Sequence, residues 1–252
     1  AVSAPDIVFV LLAGFAAGAI NVAVGSGTLV TFPVLLAIGY SPLVANVSNT
    51  LGLVPASAAG AIGYRDELRN RRSQLVQFAS ASATGGVLGA VLLLTLPAGA
   101  FEVIVPVLVA LAVLLVALQP LLSARVRSVD RGSTRRTAGP VLLGAIFATG
   151  VYGGYFGAAQ GVILLGVMGL ALSSDLQEIN AIKNVLAGVV NAVAALVFVV
   201  SADVAWGPVV LIAIGSAAGG TLGAKIARRL PPIALRALVV VVGLTAFVQL
   251  VR

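Results

Sequence analysis

A chain of 252 residues that is 60% hydrophobic and only 9% charged lies far from soluble composition, which is about 45–50% apolar and 25% charged, and it reads as a polytopic membrane protein. With no cysteine and no histidine it lacks the usual ligand sets for zinc, haem and iron–sulfur clusters and any thiol relay, so membrane thiol oxidoreductases are excluded and no cofactor or metal is expected. The net charge of +7 sits at the ends of apolar runs, a pattern of anchoring beside anionic lipid and not of nucleic-acid binding.

Apolar runs fall at about 7–24, 29–40, 42–64, 73–96 and 100–120, then at 138–156, 161–173, 175–200, 207–229 and 232–251. The first has no basic region before it and no convincing cleavage site after it, so it reads as a retained membrane segment and not a signal peptide. The second and seventh are too short for the roughly 20 residues that span hydrocarbon. Each follows a glycine-marked break, at Gly25, Ser26, Gly27 and Thr28 in the first set and from Gly157 through Gln160 to Gly161 in the second.

The ten segments form two sets of five. Gly18 to Gly25 aligns with Gly150 to Gly157 at an offset of 132, Asn49 with Asn184 at 135, and Gly85, Gly86 and Gly89 with Gly219, Gly220 and Gly223 at 134. Offsets this constant mark an internal repeat. The paired glycines at 85–89 and 219–223 read as packing faces, because small residues let helices approach closely in lipid.

Of the 15 basic residues, all but Lys183 and Arg252 lie in three clusters: Arg65, Arg69, Arg71 and Arg72; Arg125, Arg127, Arg131, Arg135 and Arg136; and Lys225, Arg228, Arg229 and Arg236. The positive-inside rule makes these places cytoplasmic. The connection that is basic in one repeat is not basic in the other, so the repeats are expected to be inverted, with both termini outside. The expected architecture is therefore an all-α polytopic protein: a first membrane repeat over 1–122, a basic cytoplasmic linker over 123–137, and a second, inverted repeat over 138–252. Inverted repeats with interrupted helices, holding cargo at the midplane, are the construction of many secondary transporters.

Lys183 and Asn184 stand eight and nine residues into the run that starts at Asp175, about 12–14 Å deep at 1.5 Å per residue. Asn49, beside Ser48 in the opposite repeat, lies about 10–12 Å from the other face. An ionisable residue at such depth is by default a functional-site candidate. Interrupted helices leave open N–H groups and a positive dipole end for anionic groups, and Ser26, Thr28 and Gln160 add donors. One lysine with amides, hydroxyls and open N–H groups suits a small oxygen-rich anion. Other roles compete: Lys183 can pair with Glu178 or Asp175 or snorkel to the cytoplasmic face, Asn49 and Asn184 can serve as interhelical glue, and Tyr152 and Tyr155 fit either interfacial anchoring or a place in the lining. Asp175 and Glu178, the acids near the cytoplasmic mouth, are candidates for proton coupling. No nucleotide-binding loop of the GxxxxGK[ST] kind is present, and no deep carboxylate pair supports an enzyme.

The stretch from Gly25 to Pro33, the polar run Ala45 to Thr50, and in the second half Tyr152 to Gly161 followed by Lys183 and Asn184 resemble the TauE/SafE sulfite exporter family of bacterial membrane proteins, over essentially the whole chain. The resemblance implies export of sulfite or small organosulfonates such as sulfoacetate across the cytoplasmic (inner) membrane. It places the glycine-break motif on Gly25 to Thr28 and Gly157 to Gly161, and the polar helix motif on Ser48, Asn49, Lys183 and Asn184. The second break departs from the first, with Ala158 and Ala159 where Ser26 and Gly27 stand. Expected partners are a small anionic substrate and membrane lipid, with a homodimer left open. Rival readings are another small anion (a carboxylate, phosphonate or thiosulfate) and a non-transporting membrane assembly partner.

Overall fold

The computed structural model describes residues 4–69, 71–128, 139–172, 174–226 and 232–251. Among them are ten α-helices and no strand: α1 (Ala4–Ala23), α2 (Thr28–Ala37), α3 (Pro42–Gly63), α4 (Arg72–Thr95), α5 (Ala98–Ser128), α6 (Pro140–Tyr155), α7 (Gln160–Ala171), α8 (Leu176–Ser201), α9 (Trp206–Ile226) and α10 (Pro232–Val251). The expected ten segments are present, and the two expected to be short are α2 with 10 residues and α7 with 12. Helix α5 continues through Ser128, so the first residues of the expected basic linker extend a helix; positions 129–138, with Arg131, Arg135 and Arg136, lie outside the described residues, as do Arg228, Arg229 and Arg252.

Local chemistry sets the helix starts. Ser41 caps α3 by accepting from the Val44 N–H at 3.5 Å, with Pro42 in the first turn where a missing N–H does no harm. Asp175 caps α8 by accepting from the Gln177 N–H at 3.4 Å, and Glu178 adds a favourable negative charge to its first turn. The capping aspartate thus fixes the register in which Lys183 enters the interior.

Five helices are long and apolar enough to cross a membrane by length and composition: α1, α4, residues Gly99–Leu121 of α5, α8 and residues Trp206–Lys225 of α9. Their outer faces carry large exposed apolar side chains, among them Phe9, Val103, Val107, Val200 and Ile214, as a lipid-facing surface requires. Helix α3 differs. It buries Asn46, Ser48, Asn49, Thr50 and Ser57, so its polar residues face the bundle interior.

Helix α1 packs on α9 as α6 packs on α4; α3 meets α9 as α8 meets α4; α1 touches α2 as α6 touches α7; and α3 and α8 lie against each other, as do α5 and α10. Exchanging each of the first five helices for its counterpart five places on maps every one of these pairings onto another or onto itself. Glycine permits the tightest of them. A Cβ on Gly14 would stand 2.9 Å from the Ile212 Cα, and one on Gly150 would stand 2.6 Å from the Ser82 carbonyl oxygen, both inside any real contact. Gly85, Gly89, Gly219 and Gly223 occupy the same two helix seams, which is the packing role expected of them.

Aromatic rings tie the breaks into the core. Phe32 on α2 and Phe156, which follows α6, meet edge to face at 5.3 Å, and Phe101 on α5 packs on Phe156 at 6.2 Å and on Tyr155 at 5.7 Å. Phe32 and Phe156 are buried. Such pairs add about 0.5–1.5 kcal/mol beyond their area, and here they fix the α2 and α6 ends relative to each other.

Candidate functional site: two helix breaks that meet beside Lys183

Helix α1 stops at Ala23 and α2 begins at Thr28; α6 stops at Tyr155 and α7 begins at Gln160. The turns match at their first glycine, where Gly25 has φ +84° and Gly157, its counterpart, φ +76°, and differ two residues on, where Gly27 is right-handed at φ -57° and its counterpart Ala159 is left-handed. Left-handed values are ones that glycine adopts freely and other residues adopt at a cost. Ala159, just ahead of α7, takes φ +58° and is the non-glycine residue with positive φ among the described residues. The Tyr152 hydroxyl donates to the Ala158 carbonyl and braces this second turn, so Tyr152 belongs to the site's frame.

The two breaks touch. The Gly161 N–H donates to the Gly25 carbonyl at 3.1 Å, and a Cβ on Gly161 would stand 2.5 Å from the Gly25 Cα. That Cβ would also stand 3.0 Å from Lys183 Cδ. Glycine at 161 therefore serves two ends, the backbone contact between the halves and the passage of the lysine stem.

Lys183 has no exposed surface. Its ammonium donates to the carbonyls of Asn21 at 3.2 Å and Val22 at 2.9 Å, and Asn184 Nδ2 donates to the same Val22 carbonyl at 3.4 Å. Both acceptors lie in the last turn of α1, where carbonyls lose their intrahelical partners and the helix dipole is negative. The chain turns before Gly25 can serve Asn21: the Gly25 N–H instead donates to Ile20 O at 3.1 Å. The break thus creates orphan carbonyls, and a cation from the other half of the chain answers them.

The two sequence alternatives for Lys183 are replaced by this arrangement. Glu178 accepts from Arg71 at 2.6 Å, in a partly exposed ion pair, and Asp175 caps α8. Geometry explains why neither meets the lysine: Glu178 precedes Lys183 by five residues, about 7.5 Å along the helix and about 140° around it. Snorkelling does not occur either, since the ammonium is fully enclosed.

Asn49 is engaged within its own half. Its Nδ2 donates to Thr28 Oγ1 at 3.1 Å, and its Oδ1 accepts from Thr31 Oγ1. This network joins α3 to the start of α2 at the first break. Ser48 is turned away; its Oγ accepts from the Ala205 N–H at 3.0 Å and ties α3 to the turn before α9. The structure therefore brings together Gly25, Gly161, Lys183 and Asn184, with Thr28 and Asn49 beside the first turn, and leaves Ser48, Asp175 and Glu178 outside. Ser26 Oγ at the first break and Gln160 Nε2 at the second are buried without a protein hydrogen-bond partner. Gln160 packs its amide against Gly153, where a Cβ would stand 2.5 Å from the amide oxygen.

Sequence reasoning passed over Asn46 and Asn21 as site residues. Asn46 Nδ2 donates to the Tyr155 carbonyl at 2.9 Å, which is the last residue of α6, so α3 caps the end of α6 as α8 caps the end of α1. Asn21 Nδ2 donates to Ser57 Oγ at 3.3 Å while its carbonyl receives Lys183. The available signal was an amide four residues ahead of Gly25 and another three residues ahead of Asn49, inside otherwise apolar sequence. Among the described residues no group of three or more acidic, cysteine or histidine side chains is placed to hold a metal.

These features define a multi-pass α-helical membrane transporter whose interrupted helices meet in the protein interior beside a buried cation. The chain belongs to the family described as Sulfite exporter TauE/SafE, which matches residues 10–250, and it is not an enzyme. It is 28% identical over 243 residues to "Probable membrane transporter protein ORF9" of Sinorhizobium sp., covering 96% of this chain and 91% of that one. It is 27% identical to "Probable membrane transporter protein YfcA" of Escherichia coli K12, over 92% of this chain and 83% of the relative. A "Probable membrane transporter protein" of Haemophilus influenzae is 25% identical, over 91% and 88%. No solved structure matches.

Proposed function

We propose that this protein exports a small sulfur-containing anion, sulfite or an organosulfonate such as sulfoacetate, across the cytoplasmic membrane. The observation that carries the reading is Lys183: a fully buried cation with no carboxylate partner among the described residues, placed where two helix breaks touch. Its ammonium has three N–H donors, and the protein supplies two acceptors. The third donor, the Asn184 amide, the Gln160 amide and the Ser26 hydroxyl suit an oxyanion. The start of α7 beside Gln160 adds the positive end of a helix dipole, although the N–H groups of Gln160, Gly161, Val162 and Ile163 are already bonded within the protein. A cation site would want carboxylates, and the acids nearest in sequence are engaged elsewhere.

In this reading the two halves are inverted repeats, the basic connections are cytoplasmic, and access alternates about the touching breaks. The equivalent packing of the halves supports it, as does the distribution of arginines. The test is flux of sulfite and sulfoacetate in proteoliposomes, with Lys183→Ala beside the wild type and unlabelled carboxylate, phosphonate and thiosulfate as competitors. Loss of flux in a folded mutant supports the site. Undiminished flux in the mutant refutes it, and preferential competition by a carboxylate would replace the sulfur anion as cargo.

A further inference from the structure

A one-way carrier has to bring its binding site back unloaded. When the site contains a buried cation, that return is slow unless something other than cargo matches the charge, because an unmatched buried ion is strongly disfavoured. Carriers whose site charge is matched only by cargo recross loaded, and so exchange one anion for another. The question for this chain is therefore what matches Lys183.

The match is built into the protein. The ammonium lies 3.2 Å from the Asn21 carbonyl and 2.9 Å from the Val22 carbonyl, at the negative end of α1. These acceptors belong to the other half of the chain, and they are available because the turn at Gly25 diverts its own N–H to Ile20. Need is mutual: the carbonyls lack a helical donor and, among the described residues, the cation lacks a carboxylate. Asn184 adds its amide to the Val22 carbonyl. The arrangement in which this match is made is closed, with Lys183 fully buried and the two breaks joined through Gly161 and Gly25. A closed arrangement of the halves is the one an alternating-access carrier passes through between its two open forms.

We infer that the orphan carbonyls of Asn21 and Val22 let the carrier reorient without cargo, so that it performs net anion flux and not obligatory anion exchange. The inference rests on the anion-carrier reading above and deepens it. Matching by carbonyls is independent of which anion is carried, so the same mode applies to sulfite and to a sulfonate.

The test uses wild-type protein in proteoliposomes loaded with radiolabelled sulfite, with equal potassium on both sides and valinomycin to clamp the potential. Efflux is followed into sulfite-free medium and into medium with unlabelled sulfite. The expected result is efflux rates that agree within about tenfold, since a matched charge leaves little extra barrier to the unloaded return. Efflux into sulfite-free medium that is slower by about a hundredfold or more would show obligatory exchange and overturn the inference, while the anion-carrier reading would stand. Absence of protein-dependent sulfite efflux in both media, and of sulfoacetate efflux from vesicles loaded with that anion instead, would remove the carrier reading and the inference together. Because no variant is involved, misfolding does not enter the result.

Discussion

Replacing Lys183 with methionine separates its electrostatic role from its place in the packing. Methionine keeps an unbranched stem of similar reach, so the passage beside Gly161 stays filled. Loss of the ammonium leaves the Asn21 carbonyl without its donor, at about 1–3 kcal/mol for a buried unsatisfied group. The Val22 carbonyl keeps Asn184. Against this, a buried ion is removed, and its desolvation amounts to several kcal/mol. The opposing terms leave folding stability within about 2 kcal/mol of the wild type. Anion affinity has no such offset: a unit charge about 4 Å from an anion is worth about 4 kcal/mol at an effective dielectric of 20, which is about three decades in affinity. Thermal unfolding of the purified mutant, followed beside sulfite uptake into proteoliposomes, reads both quantities. A stable mutant whose half-saturating sulfite concentration rises less than tenfold would refute the assignment of Lys183 to cargo. An unfolded mutant would refute the claim that its charge is not needed for the fold.

Three further substitutions probe the frame around it. Gly161→Ala places a Cβ 2.5 Å from the Gly25 Cα and 3.0 Å from Lys183 Cδ; the overpacking is expected to cost about 1–3 kcal/mol, and an unchanged melting temperature would show that the two breaks are not held in contact. Ala159→Gly relieves a φ of +58° and is expected to raise stability by up to about 1 kcal/mol, the left-handed penalty less the entropy of the added glycine; a lower melting temperature would refute that account. Glu178→Gln removes a partly exposed ion pair with Arg71, worth about 1 kcal/mol or less, and because Glu178 does not meet Lys183, flux should keep its response to an imposed pH gradient; loss of that response would return Glu178 to proton coupling.

The elements were legible where one physical signal dominated. Hydrophobic runs broken by Gly25 and Gly157 gave α2 and α7 as short helices because length and left-handed turns are both written in residue type. The depth of Lys183 was readable for the same reason, as an ion far inside an apolar run. Its partners were not, because they are the backbone carbonyls of Asn21 and Val22, which every residue carries. Only the end of α1 makes those two available, and only the fold sets α8 against it. Charge complementarity suggested Glu178 instead, and helical geometry turned that acid toward Arg71. The end of α5 through Ser128 was read as linker because arginine and serine dominate its composition, although neither prevents a helix from continuing past the apolar stretch.

The halves pack alike and differ in charge, and in the anion-carrier reading the difference bears on cargo. Lys183 answers the carbonyl end of α1, and Asn46 answers the carbonyl end of α6. Both side chains reach from one half to a helix end in the other, yet one is a cation and the other a neutral amide. An amide satisfies a carbonyl without bringing a charge into the interior, so among the described residues Lys183 is the one basic side chain at the pair of breaks. A lysine at both places would put two cations around the same pair of touching turns and favour cargo of higher charge. One cation with several neutral donors instead suits an anion whose charge is low and whose oxygens are many, recognised by hydrogen bonds as much as by Coulomb attraction. In the anion-carrier reading proposed above, symmetry serves the frame and asymmetry the selectivity.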